Sequence, residues 1–384
     1  MTLWRPQTFK NAARADGRSS IVIQHAIETA RVLREKTPSA RPIFSLKHLS
    51  HLTGVQYDLL RRVASRHQPE PYRVFRILKR PLPGEETRFR TIVVPSPWLM
   101  SLQRWMNADI LQSAVPHEAS VAFSQGDTIR EAAATHCGCQ WLIKVDIRNF
   151  FESITEAQVF RVFESIGYQP LIAFEMARLC TRVGDRETRR FHRRFRSDAN
   201  DESTILAYRA GIMGHLPQGA PTSPRIANLV ARELDAALTG VAESHDLIYT
   251  RYADDLTFST RQRNLDRSTV RDVVGQVYAA IATNGFAPNT AKTSVSAPGA
   301  RKIVLGLLVD RDTPRLTREF KATLRQHLYY LRREGIGPSG HAARRGGATI
   351  PGLRRHVLGL IHHARQIEFE YGDARLTEFN EIVW

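Results

Sequence analysis

The sequence has few cysteines, too few acids to balance its bases, and no long apolar run. Its 384 residues include three cysteines, Cys137, Cys139 and Cys180. So sparse and odd a count excludes a disulfide framework and fits a reducing cytoplasm. His136-Cys137-Gly138-Cys139 offers half of a zinc site, but the second ligand pair is missing, so no zinc is expected there. No segment approaches the roughly 18 consecutive apolar residues of a membrane span. The first 20 residues lack the apolar centre of a secretion signal. There is no internal repeat and no low-complexity domain. The deficit of acids is large: 38 Asp and Glu against 55 Lys and Arg, a net charge of +17. That excess points to a polyanionic partner, nucleic acid before an anionic membrane surface. With 42% hydrophobic residues, the chain can build two or three packed subdomains.

What is present is organised around Tyr249-Thr250-Arg251-Tyr252-Ala253-Asp254-Asp255-Leu256-Thr257-Phe258. Apolar and β-branched residues flank a polar tip, which predicts two strands joined at Ala253-Asp254. By itself this stretch has two readings. It is a solvated turn, where Asp is common, or a tip that holds a divalent cation between adjacent carboxylates. A third acid lies upstream. Trp141-Leu142-Ile143-Lys144-Val145-Asp146-Ile147 is an apolar run broken by Lys144. It predicts a buried strand with Asp146 at its C-terminal end. Asp is disfavoured in strands, so Asp146 needs a partner, either a backbone cap or a metal. Three carboxylates on adjacent strands would make a two-metal site for phosphoryl transfer.

The remaining elements fall in order around these acids. Residues 1–40 are polar and basic, with one amphipathic helix from Ser19 to Arg34 and the rest loosely ordered. Phe44 to Ser65 predicts two helices, the first capped by Ser45 and ended by Gly54. They suit either a helix-turn-helix for a DNA groove or a pair packed on the next domain. Tyr72 to Val94 predicts a β-hairpin with Lys79 and Arg90 on opposite arms, placed to hold a phosphate or simply to form a basic face. Thr181 to Ser197 carries seven arginines, Arg182, Arg186, Arg189, Arg190, Arg193, Arg194 and Arg196, a density that suggests phosphate-backbone contacts. Gly214 to Pro224 has three prolines and two glycines. It is a rigid loop feeding a helix from Arg225 to Thr239. Arg301 to Val309 predicts one strand, and residues 315–384 two helices around a Gly-rich break at 335–347.

The order of these features resembles reverse transcriptases. The Tyr252-Ala253-Asp254-Asp255 box has the form found at their active sites. Leu216-Pro217-Gln218-Gly219-Ala220-Pro221-Thr222-Ser223-Pro224 is similar to the version in bacterial enzymes of this kind, especially retron and related phage-defence enzymes. Ala133 and His136 match part of a retron Asn-Ala-x-x-His motif, whose Asn is absent. Val304-Leu305-Gly306 stands where those enzymes often carry Val-Thr-Gly.

The resemblance implies an α+β right-hand polymerase. It would have a basic extension over 1–43 and fingers over 44–140 that include the helical pair. The palm would cover 141–310, with a basic insertion near 181–200, and a helical thumb 311–384. It implies two Mg²⁺ ions, replaceable by Mn²⁺, bound at Asp146, Ile147, Asp254 and Asp255, with Asp146 and Asp254 binding both ions and Asp255 nearby and helping. Asp146, Asp254, Asp255 and Lys292 would be catalytic, with Lys292 a buried acid that protonates the pyrophosphate, although it is also readable as a surface lysine after a helix. Phe151 matches the aromatic gate that excludes a ribose 2′-OH, although it is also readable as a core Phe beside Phe150. Gln218 and Gly219 would line the nucleotide pocket, and Lys79 and Arg90 would grip the triphosphate. Arg189, Arg190, Arg193, Arg194 and Arg301 would contact RNA or DNA. The expected partners are a structured noncoding RNA that serves as template and primer, its cDNA, dNTPs and a separate effector protein, with no membrane. The activity implied is synthesis of a branched RNA–DNA hybrid, msDNA, in retron antiphage defence. A non-retron defence reverse transcriptase with other priming, and an inactive RNA-binding scaffold, are the rival readings. The scaffold would have lost an acid, and all three are present.

Overall fold

The computed structural model describes residues 4–78, 89–124, 126–184, 195, 208, 211–346 and 349–384. The chain divides into two compact units. One comprises Met1–Phe123, Ile147–Ala237 and Ala279–Pro288. The other comprises Ser124–Asp146, Leu238–Tyr278 and Asn289–Trp384.

The first unit is mainly helical. Its N-terminus is more ordered than the polar sequence suggests: Pro6–Ala15 is a helix, with proline in its first turn, where a missing N–H costs nothing. Ser19 caps the helix Ser20–Lys36. The helices Leu46–Thr53 and Tyr57–Ala64 meet at Gly54, whose φ of 71° ends the first. Leu46, Leu49, Leu60, Val63 and Ala64 are all buried, so the apolar stripe of this pair packs inside the unit. Strands β1 (Tyr72–Leu78) and β2 (Phe89–Pro95) form the expected antiparallel hairpin, with Ile77 opposite Arg90. Thr155 begins the helix Glu156–Ile166 with a capping box, which satisfies two terminal N–H groups reciprocally. Gly167 ends it, and Pro170–Cys180 follows. The helix expected over Arg225 to Thr239 is two helices, Ser223–Val230 and Arg232–Ser244, turning at Ala231. Arg225 and Asn228 fix the first by donating to the carbonyls of Ala114 and Ala122, each at 2.6 Å.

The second unit holds the principal sheet, ordered β4-β5-β3-β6. Its strands are β3 (Trp141–Asp146), β4 (Ile248–Tyr252), β5 (Asp255–Thr260) and β6 (Ser294–Ser296). The strand expected over Arg301–Val309 is instead a tight hairpin of β7 (Ile303–Val304) and β8 (Leu307–Leu308), which pairs on with β9 (Arg315–Leu316). Leu305 and Gly306, at φ of 48° and 83°, make its turn. The C-terminal part is helical: Arg318–Arg332, Ile350–Ile367 and Phe369–Asn380. The Gly-rich break contains a further helix, Gly337–Arg344, with proline in its first turn. Leu324, Leu328, Val357 and Ile361 from these helices share one core with Ala133, Cys137, Leu142, Val309 and Leu316.

Candidate active site

The three acids lie on neighbouring strands of the principal sheet. β3 and β5 run antiparallel with Asp146 directly opposite Asp255, and Asp255 faces Tyr252 across the hairpin. Directly opposed residues share a face, so Asp146 and Asp255 project together. The same pairing puts Lys144, Thr257 and Thr250 on that face. The other face is mostly apolar. It carries Ile143, Val145, Leu256 and Phe258, with Tyr249 stacked on Phe258 at 4.8 Å between ring centroids. Asp254 sits in the turn, reached through Ala253 at φ 56°. An L-residue in that left-handed conformation costs about 1–2 kcal/mol. Arg251, fully buried, donates from Nη1 to the Ala253 carbonyl at 3.3 Å and helps to hold the turn.

Asp146 is 6% exposed. Its Oδ1 accepts from Asn289 Nδ2 at 2.8 Å, and its Oδ2 from Lys292 Nζ at 2.7 Å. Its backbone carbonyl accepts the Asn289 N–H at 2.7 Å. Lys292 is therefore a partner of the first acid. It is not buried as expected, because it lies on the short turn Thr290–Lys292 with its side chain half exposed. Asn289 was not singled out in the sequence; its position three residues before Lys292 in a turn is the one available signal. Burial raises the Asp254 carboxyl above its ordinary value, and repulsion from Asp255 and Asp146 adds to this. A backbone hydrogen bond and Lys292 oppose the rise. Burial also raises Asp255, which Lys144 pulls down and Asp146 pushes up.

These donors fit a hard divalent cation. They are carboxylate oxygens whose mutual repulsion a cation would relieve. Among the described residues, no group of three or more His, Cys, Asp or Glu stands together so as to hold a metal ion by itself. A cation on Asp146 would compete with Lys292 for Oδ2. Ile147 is 1% exposed, so its side chain is not available to a ligand.

The residues expected to hold the nucleotide belong to the first unit. Arg90 is exposed on β2. The Gln218 carbonyl accepts the Val93 N–H at 2.8 Å, which fastens the Pro/Gly loop to the same strand. Gly219 is needed there. Its φ is +115°, and a Cβ would stand 2.9 Å from the Val93 carbonyl oxygen. Phe150 is the core aromatic, 3% exposed and packed on Phe286, whereas Phe151 is only partly buried. The start of the Pro/Gly loop is anchored by Glu156, which accepts the Gly214 N–H at 2.9 Å and pairs with Arg66 and Arg178. Lys79 lies outside the described residues.

Among the arginine-rich stretch, Arg186, Arg189, Arg190, Arg193, Arg194 and Arg196 lie outside the described residues. Arg182 does not serve as a free phosphate contact. It is 9% exposed, and its Nε donates to Glu70 Oε2 at 3.3 Å. Arg301 is exposed and pairs with Glu319 at 2.6 Å. His136 is buried, and both of its ring nitrogens meet hydroxyls, Ser259 Oγ and Thr250 Oγ1, each at 2.7 Å.

Helices with an antiparallel sheet that aligns acids across neighbouring strands are the α+β architecture of a right-hand polymerase. A family model described as "Reverse transcriptase (RNA-dependent DNA polymerase)" matches residues 77–313. The chain is 32% identical over 260 residues to the retron Ec86 reverse transcriptase of Escherichia coli, covering 68% of this chain and 70% of that one. It is 30% identical to the retron Mx162 reverse transcriptase of Myxococcus xanthus, covering 68% of this chain but about half, 54%, of that relative. With the retron Mx65 reverse transcriptase of the same organism it shares 31% identity over 83% of this chain and 67% of that one. A solved telomerase from Candida albicans, in complex with a fragment of telomeric RNA, aligns with 83% of this chain and 57% of its own. Its identity is 13% and its TM-score 0.41, a likeness too weak to add to the assignment. The chain belongs to the reverse transcriptase family and is an RNA-directed DNA polymerase of the bacterial retron type.

Proposed function

We propose that this polymerase copies a structured noncoding RNA into DNA from a primer within that RNA, giving a branched RNA–DNA hybrid, msDNA. It would act in antiphage defence with a separate effector. The observation that carries the catalytic part is the cross-strand pairing of Asp146 with Asp255, with Asp254 in the adjoining turn. Asp146, Asp254 and Asp255 would hold two Mg²⁺ ions. When bound, such ions lower the pKa of the attacking hydroxyl and stabilise the leaving oxygen. Asn289 fixes the orientation of the Asp146 carboxylate, and Lys292 supplies a cation and a proton donor beside it. Arg90, with Lys79, would bind the triphosphate; Gln218 and Gly219 would line the nucleotide pocket; and Phe151 would exclude the ribose 2′-OH. The domain boundaries at 44, 141 and 311 are part of the same proposal. The net charge of +17 supports a polyanionic template and product. The retron names of the relatives support this kind of RNA. Among the described residues, no helix is long and apolar enough to cross a membrane.

The test is to sequence and debranch the nucleic acid that copurifies with the protein. A branched RNA–DNA molecule with one RNA species is expected. A linear, repetitive or untemplated DNA would overturn the retron reading and favour a defence enzyme with other priming.

A further inference from the structure

The buried histidine His136 takes no part in the chemistry described above, and its surroundings give it another task. It follows the helix Ile129–Ala134, whose Ala133 lies in the core of the second unit with Cys137. Its own N–H donates to the Ala133 carbonyl at 3.1 Å, and the Gly138 N–H donates to Val309 at 3.0 Å. The ring is thus mounted on a fixed turn. It is 1% exposed, and burial lowers its pKa to about 4, so it is neutral at pH 7. A neutral imidazole has one donor and one acceptor nitrogen pointing opposite ways. Here each meets one hydroxyl, Ser259 on β5 and Thr250 on β4, at 2.7 Å.

The placement of those hydroxyls is specific. Thr250 stands four positions before Asp254, and Ser259 four positions after Asp255. In the hairpin, Thr250 faces Thr257 and Ser259 faces Ile248, so the two hydroxyls are diagonal neighbours on one face. That is also the face of Asp146 and Asp255, by the same alternation. A bridge between diagonal positions opposes sliding of one strand past the other. Sliding would displace Asp254 relative to Asp255, and both relative to Asp146.

We infer that His136 is a positioning residue: with Thr250 and Ser259 it straps both arms of the acid hairpin to the core and sets the placement of the acids. The inference rests on the reading of Asp254 and Asp255 as the metal-holding acids. The strap touches neither substrate nor metal and acts through the strand register.

The test uses the full chain with Thr250→Val combined with Ser259→Ala, alongside His136→Asn and His136→Ala. Five quantities are measured: kcat and KM for dNTP on primed RNA, RNA affinity, thermal melting, and Mn²⁺ affinity by electron paramagnetic resonance without nucleotide. The hydroxyl-free variant is expected to fold, with dNTP KM and RNA affinity unchanged. Its kcat should fall roughly tenfold to a hundredfold, the scale of a small misplacement of reacting groups, and Mn²⁺ should bind several-fold more weakly. His136→Asn, which keeps a donor and an acceptor, should recover part of the kcat lost in His136→Ala. A folded hydroxyl-free variant with wild-type kcat and wild-type Mn²⁺ affinity overturns the strap. The acid assignment fails separately, if Asp254→Asn with Asp255→Asn still binds Mn²⁺ and extends a primer; that result also overturns the strap, by leaving it no acids to position.

Discussion

The Val93 N–H donates to the carbonyl of Gln218 at 2.8 Å, which ties a strand of the basic hairpin to the Pro/Gly loop. The contact is close because Gly219 has no side chain: a Cβ there would also stand 3.1 Å from Ile92 Cγ2. Arg90 lies three residues before Val93 on that strand. The hydrogen bond thus joins two segments that are proposed to meet the nucleotide.

Gly219→Ala should break this tie. The residue would be strained at its φ and would push on backbone, a cost of roughly 1–3 kcal/mol. The expected result is a raised KM for dNTP with RNA affinity unchanged, measured by steady-state incorporation and filter binding. An unchanged KM would remove the loop from the nucleotide pocket.

Asp254→Asn with Asp255→Asn should abolish incorporation on primed RNA. Losing the metals forfeits several kcal/mol of transition-state stabilisation, or at least about a thousandfold in rate at ~1.4 kcal/mol per tenfold. RNA binding, which draws on the basic surface, should persist. Primer extension by the double variant would show that the acids are misassigned.

The neighbouring phenylalanines should separate cleanly. Phe151→Ala should raise ribonucleotide incorporation relative to deoxynucleotide by roughly tenfold or more, with little loss of stability. Phe150→Ala should instead destabilise by about 3–5 kcal/mol, as expected for a buried aromatic. Competition assays with dNTP and rNTP, together with thermal melts, decide this. An unchanged preference in Phe151→Ala would end its role as a gate.

Glu156 predicts an acid limit to stability. Burial alone would raise its pKa, but Arg66 and Arg178 hold it down to about 2. A carboxylate depressed in the folded state contributes stability above its ordinary pKa of 4.5. That contribution is lost as pH falls from there toward about 2. Glu156→Gln should cost about 3–5 kcal/mol, because two buried guanidinium groups lose their partner. It should also flatten the melting temperature between pH 5 and about 3 relative to wild type. A variant whose acid profile matches the wild type would show that other carboxylates set the limit.

The amino-acid pattern alone determined the strand ending at Asp146, the turn at Ala253-Asp254, the cap at Ser45, and the excess of positive charge that points to a polyanionic partner. Each depends on neighbours in the chain or on summed charge, and such signals are local. It also carried the motifs that resemble a reverse transcriptase. Only the tertiary structure decided that Asp255, not Asp254, faces Asp146, because strand register is a relation between segments more than a hundred residues apart. The fold likewise made Lys292 an exposed partner of Asp146 and gave Asp146 a second partner in Asn289. It turned Arg182 inward to Glu70 and placed His136 between the two arms of the acid hairpin. A polar side chain reads the same in sequence whether it meets solvent, a substrate or a buried partner. Which of these it meets is set by packing, since a polar group removed from water must find a partner.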